Sequence, residues 1–405
     1  MQQLNTFNFQ YKFSIRKMSY NFDEIIDRKN TNSQKWDAAK NDKILPMWVA
    51  DMDFNAPIPV IEALQNVVTH GIFGYAKVPD KYFESIIGWF GSRYNFSIEK
   101  EWILHTIGVI PALSAIIKAL TNVGDKVLIQ EPVYNGFVSP ISNNNCSKIS
   151  SNLIYKNGKY EMDFDDLALK LGDPTVKLML LCNPHNPAGR AWTKNELEKL
   201  GNLCIENNVL VIADEIHCDL VFNDNKHTPF ATISEAFLNN SVTCTSPSKT
   251  FNLAGLQVAN IFVSNETIRK KIHQALLQNA VHDISPFAIE ALVAAYNDSE
   301  NWLNALLPYL YTNYTLLKQF LSENFPQLYV LPLEATYLVW IDCSKLNVNV
   351  SEFNKKLYNE GNLWINEGKL YGESGLNFIR INIACPKAIL IEGLNRLKKT
   401  INTLQ

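Results

Sequence analysis

Three apolar runs, residues 177–182, 209–213 and 241–244, constrain this chain more than any other feature, because each leads into polar groups at its carboxyl end. Those groups are Asn183, Asp214 and the loop from Ser246 to Lys249. Asn183 and Asp214 lie 31 residues apart, Asp214 and Lys249 lie 35 apart, and each interval is about one strand–helix–strand unit. Continuous apolar strands separated by helical stretches form a mostly parallel sheet covered by helices on both faces. Ligands bind such a sheet beyond the carboxyl ends of its strands, so the three side chains are expected on one rim. The expected fold class is α/β.

The pattern continues on either side. A strand is expected near 102–104, followed by Gly108-Val109-Ile110-Pro111 and a helix over 112–120. Residues 126–129 read as a strand leading to Tyr134, and 193–206 as a helix opened by the capping box Thr193-Lys194-Asn195-Glu196. Upstream, 60–68 and 82–94 have helical spacing, 22–37 reads as a short helix and then an extended segment, and 45–54 is a strand-like run broken by aspartates. Beyond 281 come helices over 287–296, 302–323, 351–359 and 387–404, with strands over 329–331, 335–342 and 377–384. A chain of 405 residues is too long for one simple core. The expected division is an N-terminal extension over 1–21, a segment 22–65 packed on the smaller domain, a large ligand-binding domain over 66–300 and a small α+β domain over 301–405.

Bulk properties remove several classes of function. A net charge of −3 offers no basic field to nucleic acid or an acidic membrane. No apolar run reaches the ~18 residues of a membrane span. Seven scattered cysteines favour free thiols and a reducing compartment, so the cytoplasm is expected. Residues 1–17 carry Lys12, Arg16 and Lys17 and no acid, yet lack the apolar core of a secretory signal; a disordered extension, or a true start at Met18, is the plainer reading. Cys182-x-x-His185 and His217-Cys218 lack a second Cys-x-x-Cys, so no metal is expected. Ser246-Pro247-Ser248-Lys249 satisfies Ser-x-x-Lys, but the Lys-Thr-Gly that an acyl-enzyme site needs is missing.

The residue types on the rim describe a specific chemistry. A lysine partly removed from water has a lowered pKa and an amine usable as nucleophile or base. An acid beside a heterocyclic nitrogen keeps that nitrogen protonated. Gly108, Val109 and Ile110, opening a helix, offer N–H groups and a positive dipole end to a phosphate, and Ser246 and Ser248 add hydroxyls. Tyr134, just after a strand, is placed to stack on a flat ring.

Six motifs complete the set: Lys35-Trp36-Asp37, Leu45-Pro46-Met47-Trp48-Val49-Ala50-Asp51-Met52-Asp53-Phe54, Leu181-Cys182-Asn183-Pro184-His185-Asn186-Pro187-Ala188-Gly189-Arg190, Ala213-Asp214-Glu215-Ile216-His217-Cys218-Asp219, Ser246-Pro247-Ser248-Lys249-Thr250-Phe251-Asn252-Leu253-Ala254-Gly255 and Phe378-Ile379-Arg380-Ile381-Asn382-Ile383-Ala384-Cys385-Pro386. From about Phe22 to its C-terminus the chain resembles the pyridoxal-phosphate (PLP) enzymes of fold type I, the aspartate-aminotransferase fold, and is similar to their cystathionine β-lyase branch. The resemblance implies PLP as cofactor, a small amino acid as substrate and a homodimer. It implies that Lys249 forms a Schiff base with the cofactor and shuttles the Cα proton, that Asp214 pairs with the ring nitrogen, that Asn183 bonds the 3′-oxygen and that Tyr134 stacks on the ring. It implies further that Gly108, Val109, Ile110, Ser246 and Ser248 hold the phosphate, aided by Tyr75 of the partner subunit, and that Arg380 clamps the substrate α-carboxylate, with Asn183, Ala50 and Asp51 also at the substrate.

Two departures from the aminotransferase pattern agree with the lyase branch. His217 stands at the cofactor where aminotransferases usually have tyrosine, and Gln257 where many have a phosphate-binding arginine. The phosphate is thereby less neutralised. The implied reaction is α,β-elimination of L-cystathionine, or of cysteine and its S-conjugates, to a thiol, pyruvate and ammonia. Transamination with the same cofactor is the alternative.

Overall fold

A computed structural model describes residues 20–404, and the expectations for 1–19 lie outside the described residues. The three apolar runs become parallel neighbours in a seven-stranded sheet. Its strands are β1 (Ile103–Thr106), β2 (Lys126–Ile129), β3 (Ser147–Ser150), β4 (Val176–Cys182), β5 (Leu210–Asp214), β6 (Ser241–Thr245) and β7 (Ala259–Phe262), in the order β1-β7-β6-β5-β4-β2-β3. All pairings from β3 across to β6 are parallel; β7 runs antiparallel to both neighbours. Alternation along β4 sends Leu178, Leu180 and Cys182 to one face and Met179 and Leu181 to the other. The first face is covered by α3 (Val109–Leu120) and Glu266–Gln278, the second by Phe164–Leu171 and Lys194–Glu206, so both are buried as a parallel sheet requires. The capping box at Thr193 forms, its hydroxyl accepting from the Glu196 N–H.

The C-terminal part builds a four-stranded antiparallel sheet from β8 (Tyr329–Val330), β9 (Leu338–Asp342), β10 (Asn366–Glu367) and β11 (Phe378–Asn382), in the order β8-β9-β11-β10. The early segment joins this part, because Leu45–Pro46 pairs in parallel with Leu363–Trp364.

Three local expectations are revised. Residues 22–37 form turns rather than a short helix, because the Asp37 carboxylate accepts the N–H groups of Asn30 (2.9 Å), Thr31 (3.1 Å) and Ser33 (2.9 Å). Such side-chain bonds compete with helical ones. Helix α3 begins at Val109, three residues earlier than its apolar spacing predicts, since Pro111 is tolerated in a first turn where its missing N–H has no helical partner anyway. Only Leu45–Pro46 of the run 45–54 pairs as a strand.

The rest of that run is held by side chains. Asp53 accepts from Lys35 Nζ (2.7 Å), Arg28 Nη1 (2.7 Å) and Trp36 Nε1 (2.9 Å), while Arg28 Nη2 also reaches Asp51 (2.8 Å). Asn252, three residues past Lys249, donates to the carbonyls of Met52 and Phe54 and accepts from the Met52 N–H. The motif pair Lys35-Trp36 and Asp51-Met52-Asp53 is thus one buried ion network that docks the early segment against the lysine loop. Asp53→Ala leaves the buried Lys35 ammonium with only Asp51, 3.6 Å away, and is expected to destabilise the chain by about 3 kcal/mol, read as a lowered chemical-denaturation midpoint.

Candidate active site

A cleft of about 390 Å³ opens where β4, β5 and β6 end, lined there by Cys182, Asp214 and Ser246. Register accounts for the alignment: Cys182 lies opposite Asp214, and Asp214 opposite Cys244, so these side chains share a face. Burial pushes the Asp214 carboxyl up to about 7, against the opposing pull of the Ile216 N–H and the Lys249 charge.

Lys249 enters from the loop after β6. Its Nζ donates to the Ala50 carbonyl at 2.6 Å, and burial, with Arg380 adding to it, lowers the amine to about 8 against the pull of Asp51 and Asp214. The loop is anchored next door, where Thr250 Oγ1 donates to Asp219 at 2.8 Å. Asp219 also accepts from Trp89 and Tyr94, tying the lysine loop to the helix Asp80–Tyr94.

Gly108, Val109 and Ile110 line the cleft at the first turn of α3, whose N–H groups have no partner within the helix. Ser246, Ser248 and Gln257 line the same end. The Ser246 hydroxyl donates to the Val258 carbonyl at 2.6 Å and accepts from the Ser248 N–H at 3.1 Å, which fixes the turn. Tyr134 and His217 complete the expected lining; burial raises the Tyr134 hydroxyl and lowers the His217 imidazole to about 3, so His217 is neutral.

Arg380, on β11, projects its guanidinium into the cleft from the four-stranded sheet. Nη1 donates to Asn186 Oδ1 (3.0 Å), Nη2 to the Trp48 carbonyl (2.8 Å), and the buried Nε has no protein partner. The Tyr371 ring lies 4.9 Å from the guanidinium carbon, in cation–π contact. The Trp48 indole lines the cleft and stacks on Trp364 at 4.3 Å and 12°.

Three expected residues do not line this cleft. Asn183 turns away, donating Nδ2 to Glu215 Oε1 (3.2 Å) and the Thr228 carbonyl (3.0 Å). Cys182 faces the cleft, so the pleat aims the next residue elsewhere, and Asn186 three residues on is the amide that lines it. The Asp51 carboxylate is engaged by Arg28. Tyr75 is fully exposed. Trp48 and Asn186 lay inside quoted motifs, whereas Asn366 and Tyr371, which also line the cleft, carried no signal of spacing or composition.

This donor set fits PLP: a buried carboxylate for a ring nitrogen, a depressed amine for an aldehyde, first-turn N–H groups and a serine hydroxyl for a phosphate, and a guanidinium with a free Nε for a carboxylate.

Comparison with known proteins agrees. Residues 43–397 match the family model of aminotransferase class I and II. Cystathionine beta-lyase PatB of Bacillus subtilis (strain 168) is 40% identical over 386 residues, covering 94% of this chain and 100% of that protein. The crystal structure of cystalysin from Treponema denticola, which contains a pyridoxal 5′-phosphate cofactor, superposes with a TM-score of 0.93 at 32% identity, covering 96% of this chain and 100% of that one. The PLP-bound C–S lyase from Staphylococcus hominis gives 0.90 at 34% identity, covering 95% and 99%.

Proposed function

The chain belongs to the aminotransferase class I and II family and is a PLP-dependent carbon–sulfur lyase of fold type I, and we propose that it eliminates a thiol from L-cystathionine, or from cysteine and its S-conjugates, leaving pyruvate and ammonia. The observation that carries this reading is the meeting of Lys249, Asp214 and Arg380 in one cleft, with the lysine amine at about 8.

Bound PLP supplies an electron sink for the pair left behind when a substrate Cα loses its proton. Arg380 holds the α-carboxylate, for which its guanidinium fork is shaped. Lys249 takes the Cα proton as general base. The Cβ–S bond then breaks, its electron pair leaving with sulfur as thiolate while the pair at Cα forms the Cα–Cβ double bond, and water hydrolyses the released enamine to pyruvate and ammonia. Asp214 keeps the ring nitrogen protonated, and Tyr134 covers the ring face. Asn186 is assigned the 3′-oxygen in place of Asn183, because it lines the cleft and already orients Arg380. The first turn of α3, Ser248, and Ser246 once its hydroxyl turns from the Val258 carbonyl hold the phosphate with no arginine among them, Gln257 standing there instead.

A homodimer is part of the proposal: Ile72, Phe73 and Tyr75 are all exposed, and an apolar surface of this kind suits a second copy, which would bring Tyr75 of the partner subunit to the phosphate. Light scattering that finds an active monomer would refute it. The cytoplasm is the proposed location, in keeping with seven free cysteines, all buried. Among the described residues no helix is long and apolar enough to cross a membrane.

Incubation with L-cystathionine is expected to release pyruvate without any 2-oxo acid present. Turnover that requires the 2-oxo acid and yields no pyruvate would assign transamination instead. Arg380→Ala is expected to lower kcat/KM by about a hundredfold or more, chiefly through KM, because the substrate carboxylate loses a buried charge partner.

A further inference from the structure

The backbone between Trp48 and Ala50 holds a paired arrangement that the reaction above does not use. The Trp48 carbonyl accepts from Arg380 Nη2 at 2.8 Å and also from Asn366 Nδ2 at 3.2 Å. Two residues on, the Ala50 carbonyl accepts from Lys249 Nζ at 2.6 Å and also from the Tyr337 hydroxyl at 2.9 Å. Each cation of the cleft therefore shares its carbonyl with one neutral donor. Both neutral donors come from the four-stranded sheet, Asn366 at the start of β10 and Tyr337 just before β9.

Each neutral donor is held by contacts beyond its shared carbonyl. Asn366 Nδ2 also donates to the Tyr371 hydroxyl at 2.8 Å. Tyr337 is fully buried, and Thr336 before it has φ +70°, a left-handed conformation that a β-branched residue adopts only where its surroundings impose it. The surroundings do so here: the Thr336 N–H donates to the Leu220 carbonyl at 2.7 Å, and its Oγ1 accepts from the Leu338 N–H at 3.1 Å. The chain bends at Thr336 and delivers the tyrosine hydroxyl to Ala50.

We propose that Tyr337 and Asn366 are positioning residues that keep the Ala50 and Trp48 carbonyls hydrogen-bonded when Lys249 turns to the cofactor and Arg380 to the substrate carboxylate. This rests on the reading of the cleft given above. Trp48 and Ala50 are half-buried on the cleft wall, and a carbonyl there that loses its donor while a bound ligand covers it from water carries a desolvation penalty that counts against that ligand. A resident second donor removes it. The two effects separate by ligand, Tyr337 acting on capture of the cofactor and Asn366 on binding of the amino acid.

Tyr337→Phe keeps the ring and removes only the hydroxyl. The full chain, stripped of cofactor and titrated with PLP while the visible absorbance of the bound form is followed, is expected to show a dissociation constant about tenfold above wild type. Its melting temperature without cofactor is expected to match wild type, because Lys249 still serves Ala50 there. Asn366→Leu is expected to bind PLP normally and to weaken L-alanine about tenfold, and it keeps the question open to test even where Tyr337→Phe fails to accumulate. Wild-type PLP affinity in Tyr337→Phe, or a melting temperature lowered equally with and without cofactor, overturns the assignment of Tyr337. Wild-type affinity for L-alanine in Asn366→Leu overturns that of Asn366. Wild-type protein that binds no PLP overturns instead the reading of the cleft on which both rest.

Discussion

Lys249→Ala is expected to lower pyruvate release from L-cystathionine by roughly 10⁴-fold, the upper end of what a positioned general base contributes. No other amine lines the cleft among the described residues, and the His217 imidazole there, lowered to about 3, is too weak a base to take over at Cα. The same variant loses its covalent hold on PLP, and the visible band of the bound cofactor shifts or vanishes with the activity. The wild-type amine adds a pH signature. Burial lowers it to about 8, so below that pH the protonated form predominates and the reactive free base falls about tenfold per unit. The rate of PLP capture is therefore expected to rise with pH up to about 8 and then level off. A rate flat between pH 6 and 9, or Lys249→Ala with more than a hundredth of wild-type activity, would remove Lys249 from its role.

Asp214→Asn is expected to reduce kcat by about 10³-fold while PLP still binds. Asp214 sits deep enough for burial to hold its carboxyl near 7, an environment in which ionisation is paid for only by a cation at contact. A protonated ring nitrogen is such a cation. Asparagine has nearly the same shape but no charge, so the ring stays neutral and withdraws electrons poorly. The diagnostic is rescue: PLP methylated at the ring nitrogen, permanently positive, is expected to restore a large part of the lost kcat. Equal activity of Asp214→Asn with ordinary PLP would show that the carboxylate only fills space.

The sheet was legible because three buried parallel strands are nearly pure apolar runs, and their spacing fixes their order. β3 escaped because it is an edge strand with Ser147 and Lys148 exposed, which leaves no apolar run to read. The antiparallel β7 follows the lysine loop so closely that no helical interval announces it. In the site, Asp214 and Lys249 were readable as polar ends of apolar strands. The choice between Asn183 and Asn186 was not, since both follow the same strand end and only the facing of Cys182 separates them. Tyr337 and Asn366 act through carbonyls of residues 287 and 318 positions away, respectively, and long-range backbone contacts leave no mark on local pattern.

The stacked Trp48 separates two tasks within one residue. Its carbonyl serves Arg380 and Asn366, and any residue at this position brings that carbonyl with it. Its indole rests on Trp364 and donates Nε1 to the Lys35 carbonyl at 3.3 Å. Trp48→Phe would keep the carbonyl that serves Arg380 and an aromatic face for Trp364 while giving up the bond to Lys35, which makes position 48 a place to vary the side chain without removing the carbonyl behind the guanidinium.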